Sequence, residues 1–386
     1  MRIDTLSEFT DRTLNAKPLV SAGTPQADQA ALALISRRQQ LDLNQPEARE
    51  LGWGVLVPAL LAYSRENKFI KFDPWDNGIL IKQFDETQVL YQYNPFRDPK
   101  NRQASGQKAA PPAPGSKPPD FLAWETFPEN EHYLVWTAAS GQRYGILVQP
   151  VPIVPDHLIV ASLDYNPATG RHDEQIMTAP RLADMNELLG QLAQLGYAMG
   201  FNGRHAGASV DHFHTQAVPR HFLPVINLIE KKRIRFLASR SCQGCVRLRL
   251  LDCKPAGFWD QARRWLGDRQ GTYPADSLLL EADRPAALAA CEQMILAYFQ
   301  RMSLTYNSIA WLSPSGTFRE IFFPRGQEAI LNQTLKAGYV EMSGMMVIPN
   351  KTVFDQIEAK AGEIGIKEAG PIAQISSYIF NQLLPA

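Results

Sequence analysis

Cysteine is scarce in this chain: Cys242, Cys245, Cys253 and Cys291 are all that 386 residues contain. That density excludes a disulfide-stapled scaffold. No apolar run is long enough to span a bilayer, and Met1-Arg2-Ile3-Asp4 begins without the apolar stretch of a secretory signal. Neither sign of charge is in excess. The formal net charge is zero, which argues against a broad nucleic-acid or membrane-surface binder and leaves room for a local anion site. A cytoplasmic protein that engages neither nucleic acid nor membrane is expected. What is present is enough apolar material for a sizeable core, with 45% hydrophobic and 20% charged residues, in a length that suits two or three domains.

The pattern along the chain alternates between helical and extended segments. Leu6 to Glu66 reads as helical, with Ala30 to Gln40 and Val55 to Ser64 as its clearest parts. Ile79 to Phe84 and Val89 to Tyr93 predict two strands around a polar turn. Residues 102–119, with Pro111, Pro112, Pro114, Pro118 and Pro119, predict an exposed irregular loop. Tyr144 to Val148 and His157 to Ala161 are strand-like. The leucine stripe of Ala179 to Gly200 predicts a helix packed on a sheet. Pro285 to Met302 predicts another helix, Tyr306 to Leu312 with Phe318 to Phe323 a hairpin, Val340 to Ile348 a strand and Phe354 to Ala361 a terminal helix. Such an order indicates an α+β protein with a loosely duplicated core. No strict repeat is present.

All seven histidines fall between His132 and His221. Within that window His212-Phe213-His214-Thr215-Gln216 places two imidazoles and a carboxamide at every second residue. The flanks read as a strand, so His212, His214 and Gln216 are expected to line one wall. The preceding stretch, Phe201 to Ser209, carries Gly203 and Gly207, which would let a bulky anion approach the backbone, and Asn202 and Ser209, which add neutral donors. A neutral imidazole is a competent nucleophile near pH 7. Donors around it would stabilise charge developing on phosphoryl oxygens. Gln216 can donate through its amide and cannot act as acid or base.

Plainer readings exist for the same residues. His212 and His214 could be strand histidines satisfied by hydrogen bonds. They could also hold a metal with Cys242 and Cys245, although the irregular spacing weighs against zinc. For Cys242 and Cys245 alone, two reduced thiols in a loop is the plain reading. His157 is a turn histidine or a nucleotide contact. Arg325 pairs a carboxylate or clamps a phosphate. Lys231-Lys232-Arg233-Ile234-Arg235 reads as a solvated face.

Phe201 to Pro219 resembles the signature of the histidine-triad superfamily, in the H-x-H-x-Q variant of its transferase and phosphorylase branch. That branch includes galactose-1-phosphate uridylyltransferase, diadenosine tetraphosphate phosphorylase and the GDP-hexose phosphorylases. Tyr306 to Val347, with Phe322-Phe323-Pro324-Arg325 and Glu341-Met342-Ser343-Gly344-Met345-Met346-Val347, is similar to the C-terminal region of the GDP-hexose phosphorylases. The resemblance runs from about Ile79 to Ala361. It implies an antiparallel sheet with packed helices in two degenerate halves, residues 79–235 and 236–386, after a helical extension, residues 1–78. It also implies that His214 is the nucleophile, that His212 orients the motif and that Gln216 holds phosphate oxygens. Asn202, Gly203, Gly207 and Ser209 would form the phosphate cradle. His157 and Arg325 would contact substrate, and Asn94-Pro95 and Arg97 would join the same site. Phe213 stands where uridylyltransferases have proline, and no C-x-x-C precedes the motif; both departures favour the phosphorylase side. Gly344-Met345 replaces the glycine-histidine pair of those phosphorylases, which leaves the substrate open.

The expected activity is cleavage of a nucleoside diphosphate sugar or a dinucleoside polyphosphate at the α-phosphate. The intermediate is a nucleotidyl-histidine, inorganic phosphate is the expected acceptor with a sugar phosphate or water as alternatives, no cofactor is required, and whether Cys242 and Cys245 bind a metal stays open. The alternatives are a diadenosine tetraphosphate phosphorylase, a hydrolase, which Gln216 argues against, and a nucleotide-binding regulator without turnover. Base, leaving group and oligomeric state stay open, a homodimer among the options.

Overall fold

The computed structural model describes residues 21–70, 74, 79–84, 87–97, 120, 122–166, 171–242, 246–251, 277–325, 329–330, 335–352 and 354–355. The expected Pro-rich loop 102–119, most of the expected terminal helix, Cys245 and Cys253 lie outside them.

The chain begins with α1 (Pro25–Arg37), β1 (Gln40–Asp42), α2 (Pro46–Leu51) and α3 (Trp53–Glu66). Thr24 caps α1, its Oγ1 accepting from the Ala27 N–H, and Pro25 occupies a position where no N–H is needed. α3 is apolar on most sides and is buried accordingly, with Leu56, Val57, Leu60 and Leu61 fully enclosed. β2 (Ile79–Phe84) and β3 (Thr87–Tyr93) form the expected hairpin.

Two similar sets of elements follow. In the first, β4 (Tyr133–Thr137), β5 (Arg143–Val148) and β6 (Leu158–Ser162) make an antiparallel meander. A small hairpin, β7 (Tyr165–Asn166) and β8 (Arg171–His172), leads to α4 (Ala179–Leu192), β9 (Tyr197–Asn202) and β10 (His214–Pro219). β10 lies between β6 and β9. After α5 (Pro224–Glu230) the order recurs: β11 (Phe236–Cys242), β12 (Val246–Leu251) and β13 (Leu278–Ala282) as a meander, then α6 (Pro285–Arg301), β14 (Thr305–Leu312) and β15 (Phe318–Arg325), with β15 between β13 and β14. β9 and β14 pair antiparallel, Asn202 opposite Asn307, and join both sets into one 11-stranded sheet. β16 (Ala329–Ile330), β17 (Leu335–Lys336), α7 (Tyr339–Met342) and β18 (Met345–Ile348) complete the described chain.

Strand alternation sorts the core into two faces. Tyr197, Met199, Phe201, Phe213 and Ala217 pack with α1, α3 and α4 on one face. On the other face Ala198, Ile309, Trp311, Ile321 and Phe323 pack beneath α5, α7, β3 and β18. α4 and α6 meet where the Asn186 Nδ2–H donates to Glu292 Oε2 (2.7 Å). Burial holds both Glu292 and its neighbour Glu320 above the usual carboxylate range.

Four expectations need correction. The first 78 residues are not only helical, because β1 pairs in parallel with β4 and adds a strand to the large sheet. The 79–93 hairpin does not join the large sheet; it pairs with β18 in a separate three-stranded sheet that packs against residues of both sets. The helix expected through Gly200 stops at Leu192 and passes into a 3-10 turn over Ala193–Leu195, which Gly196 ends with a left-handed φ of 83° that turns the chain into β9. Val340 to Ile348 is not one strand either. Gly338 starts a helical turn, with its N–H donating to Glu341 Oε2 (2.8 Å), and Gly344 at φ 100° ends it before β18. Among the described residues no helix is long and apolar enough to cross a membrane.

Candidate active site

β10 sits near the middle of the sheet, with His214 opposite Ala161 of β6 and Gln216 opposite both Ile159 of β6 and Gly200 of β9. Phe213 and Thr215 face the helices: Phe213 is enclosed beside Tyr144 and Phe201, and the Thr215 hydroxyl donates to Met185 Sδ (3.5 Å). His214 and Gln216 therefore share the opposite face. His212 lies before the strand, which starts at His214. The wall expected from the spacing thus contains His214 and Gln216, while His212 approaches it from the loop.

The pairing of β9 with β10 ends at Gln216, so His214 has no partner on that side. Gln175 supplies one. Its Oε1 accepts from the His214 N–H (2.7 Å), and its Nε2 donates to the carbonyls of His214 (2.9 Å) and Asn202 (2.8 Å). Gln175 belongs to no motif and is invisible to spacing arguments.

The His214 ring is fixed by one hydrogen bond. Its Nδ1–H donates to the His212 carbonyl (2.8 Å), which leaves Nε2 carrying the lone pair. Burial pushes the ring down to about 4, so it is neutral near pH 7. The residue keeps 4% of its surface exposed, and Gln216 beside it is half-buried.

His212 is fully enclosed, and both its nitrogens face acceptors: Nδ1 meets Asp120 Oδ2 (2.7 Å) and Nε2 meets the Ser162 carbonyl (2.7 Å). The ring also stacks on His172, with centroids 4.6 Å apart and planes at 13°. Burial raises Asp120, but the hydrogen bond and charge of His212, joined by the hydrogen bond from the Leu122 N–H, outweigh it and hold the carboxyl below its ordinary value. Asp120 follows directly on the proline-rich stretch, and nothing in its sequence context marks it. His212 thus anchors the motif and offers substrate no ring nitrogen.

The expected cradle is built differently from its sequence reading. A side chain at Gly203 would meet Thr305 Oγ1 at 2.8 Å and the Tyr306 carbonyl at 2.9 Å. At Gly207, with φ +90°, it would meet the Ala337 carbonyl at 2.7 Å. These glycines make room for Thr305 and Tyr306 and for the backbone of Ala337 and Gly338. Asn202 Oδ1 accepts from Asn307 Nδ2 (2.8 Å) and the Tyr339 N–H (2.6 Å). Arg325, 1% exposed, donates from one guanidinium nitrogen to Asn307 Oδ1 and the Ala337 carbonyl (both 2.7 Å), so it braces this junction. Ser209 alone of the expected cradle is exposed.

His157 is also enclosed, at 1% exposure, and both its nitrogens are engaged. Nδ1 accepts from the Ile153 N–H (3.3 Å), and Nε2 lies 2.9 Å from Gln216 Oε1. Burial, reinforced by the nearby Arg97 charge, lowers it to about 3. It reaches the candidate site through Gln216. Arg97 acts on the same region, because its charge opposes the upward push of burial on Tyr339 and Glu341.

The arrangement presents one neutral nucleophilic nitrogen beside one oriented carboxamide. Among the described residues no group of three His, Cys, Asp or Glu side chains could hold a metal.

No curated protein matches the chain. Solved structures of yeast Ap4A phosphorylase Apa2 are similar to it. The complex with AMP is 17% identical, covers 79% of this chain and 91% of that chain, and has a TM-score of 0.46. Apa2 itself is 15% identical over 78% and 91%, with a TM-score of 0.49. The complex with Ap4A is 14% identical over 78% and 90%, with a TM-score of 0.43. Residues 77–219, from the β2 hairpin through the end of β10, match the family model described as a domain of unknown function, DUF4922.

Proposed function

We propose that the chain is a nucleotidyltransferase of the phosphorylase type that works through a covalent His214 adduct. The Nε2 lone pair attacks the α-phosphorus of a nucleoside diphosphate hexose, and the bond from phosphorus to the departing sugar phosphate breaks. An oxygen of inorganic phosphate then attacks the same phosphorus, and the P–N bond returns its electrons to Nε2. The products are a nucleoside diphosphate and a sugar phosphate. A dinucleoside polyphosphate is the alternative substrate, with the longer polyphosphate chain as leaving group.

One observation carries this reading: the tautomer of His214. A ring whose Nδ1–H is held by the His212 carbonyl, and which burial keeps neutral, presents its other nitrogen as a nucleophile without a separate general base. The Nδ1–H bond strengthens as the ring gains positive charge on binding phosphorus. Gln216, on the same face, supplies N–H donors for the phosphoryl oxygens.

Incubation with labelled GDP-glucose or labelled diadenosine tetraphosphate, followed by an alkaline quench, tests it. Label should remain on the wild-type protein and be discharged by added phosphate, and His214→Ala should carry none. Absence of an adduct with every nucleotide, or equal turnover by His214→Ala, removes the proposal.

A further inference from the structure

Packing settles where Gln216 lies but not which way its amide points. Ile159 stands directly opposite on β6 and Gly200 on β9. A Cβ at Gly200 would lie 2.2 Å from Tyr339 Cε2, so the Tyr339 ring fills that place and walls in the Gln216 stem from the β9 side. The two amide orientations differ by half a turn about the last bond and have nearly the same shape. Only hydrogen-bond polarity separates them.

That polarity originates two steps away. The Ile153 N–H can only donate, and it points at His157 Nδ1 (3.3 Å). The peptide that carries this N–H is itself held, its Pro152 carbonyl accepting from Asn94 Nδ2 (3.3 Å). His157 Nδ1 must then carry the lone pair and Nε2 the proton. The Nε2–H donates to the Gln216 oxygen at 2.9 Å. In the flipped amide, two donors would face each other at that distance inside an enclosed site. The NH2 of Gln216 is therefore turned away from His157, toward the face it shares with His214.

We propose that His157 is a positioning residue whose Nε2–H sets the polarity of the Gln216 carboxamide, so that two N–H donors face the phosphoryl group attacked by His214. The inference rests on the nucleotidyl-transfer reading above and adds to it what makes Gln216 a donor and not an acceptor. His157 takes no part in proton transfer. Its ring stays neutral because burial and the Arg97 charge keep it so.

Swapping donor for acceptor at nearly constant size tests this. His157→Gln retains an N–H that reaches Gln216 Oε1. His157→Glu offers a donor only while protonated; once ionised, it attracts the Gln216 NH2 and turns the oxygen toward the phosphate. Adduct formation is measured from pH 5 to 9 with labelled GDP-glucose and diadenosine tetraphosphate, with KM and kcat separated. His157→Gln should keep most of the wild-type kcat. His157→Glu should match it at low pH and fall by about 10²-fold, the usual effect of losing an oxyanion donor, as the introduced carboxyl ionises, with KM little changed. The wild type should show no such alkaline decline. If His157→Glu does not fold, His157→Met removes the donor without adding an acceptor and should lie below His157→Gln in kcat alone. Equal, pH-independent losses in all variants would overturn the proposal while leaving the His214 adduct standing. A wild type that forms no adduct would instead overturn the reading beneath it.

Discussion

The neutrality of His214 has a thermodynamic signature that needs no substrate. Burial holds the folded ring at about 4, against an ordinary value of 6.5. Protons therefore bind the unfolded chain more tightly than the folded one. The stability tied to this group is fully present above pH 6.5, falls as the pH drops toward 4, and levels off below that. Each unit between those limits is worth about 1.4 kcal/mol, so lowering the pH from 7 to 5 should cost about 2 kcal/mol from this ring alone. Other groups titrate too: His157, enclosed and lowered to about 3, has the same sign. The measurement is therefore a difference between wild type and His214→Asn, whose amide can still donate to the His212 carbonyl but does not titrate. Urea unfolding of both proteins at half-unit steps from pH 7.5 to 5 gives the comparison. The gap between them should shift by about 2 kcal/mol against the wild type over that range. A gap that stays constant would show that the ring titrates at its ordinary value, and a gap that moves in favour of the wild type would show that the folded ring is charged. A charged ring has no lone pair to offer phosphorus, so the nucleophile assignment would fall with it.

Two further predictions concern the junction beneath the site. Arg325→Ala removes the donor to Asn307 Oδ1 and the Ala337 carbonyl; with both acceptors left buried and short of a partner, it should lower unfolding stability by roughly 3 kcal/mol. A loss below about 1 kcal/mol by denaturant titration would place Arg325 outside the framework. Gly200→Ala puts a methyl group 2.2 Å from the Tyr339 ring and should cost about 1–3 kcal/mol by overpacking. Combining it with Tyr339→Leu should be clearly less than additive, and strict additivity would refute the contact.

The position of the site follows from how the two sets of strands meet. β9 and β14 join at the centre of the sheet, and Asn202 and Asn307 face each other across that seam. The loop between β9 and β10, which leads into the histidines, packs on the second set through Gly203 and Gly207. Arg325 and Asn307 brace the seam.

Local order was legible because it depends on neighbours in the chain. The leucine stripe marks α4, the apolar segments around Ser313-Pro314-Ser315-Gly316 mark the β14–β15 hairpin, and alternate spacing places His214 and Gln216 on one face of β10. Where those readings overran, a single backbone angle was the reason: Gly196 ends the 3-10 turn after α4 and Gly344 separates α7 from β18, and a glycine with positive φ looks in sequence like any other glycine. The roles of the site residues were a different matter. Gly203 and Gly207 read as parts of a phosphate cradle and Arg325 as pairing a carboxylate or clamping a phosphate; the structure brings distant parts of the chain beside the two glycines and places the arginine against Asn307 and the Ala337 carbonyl. Gln175, Asp120 and the His157–Gln216 pair were hidden for the same reason. Residue type and spacing determine which side chains can perform nucleophilic chemistry. Which nitrogen holds the proton and which way an amide faces depend on partners far away in the sequence, and only the folded chain brings those together.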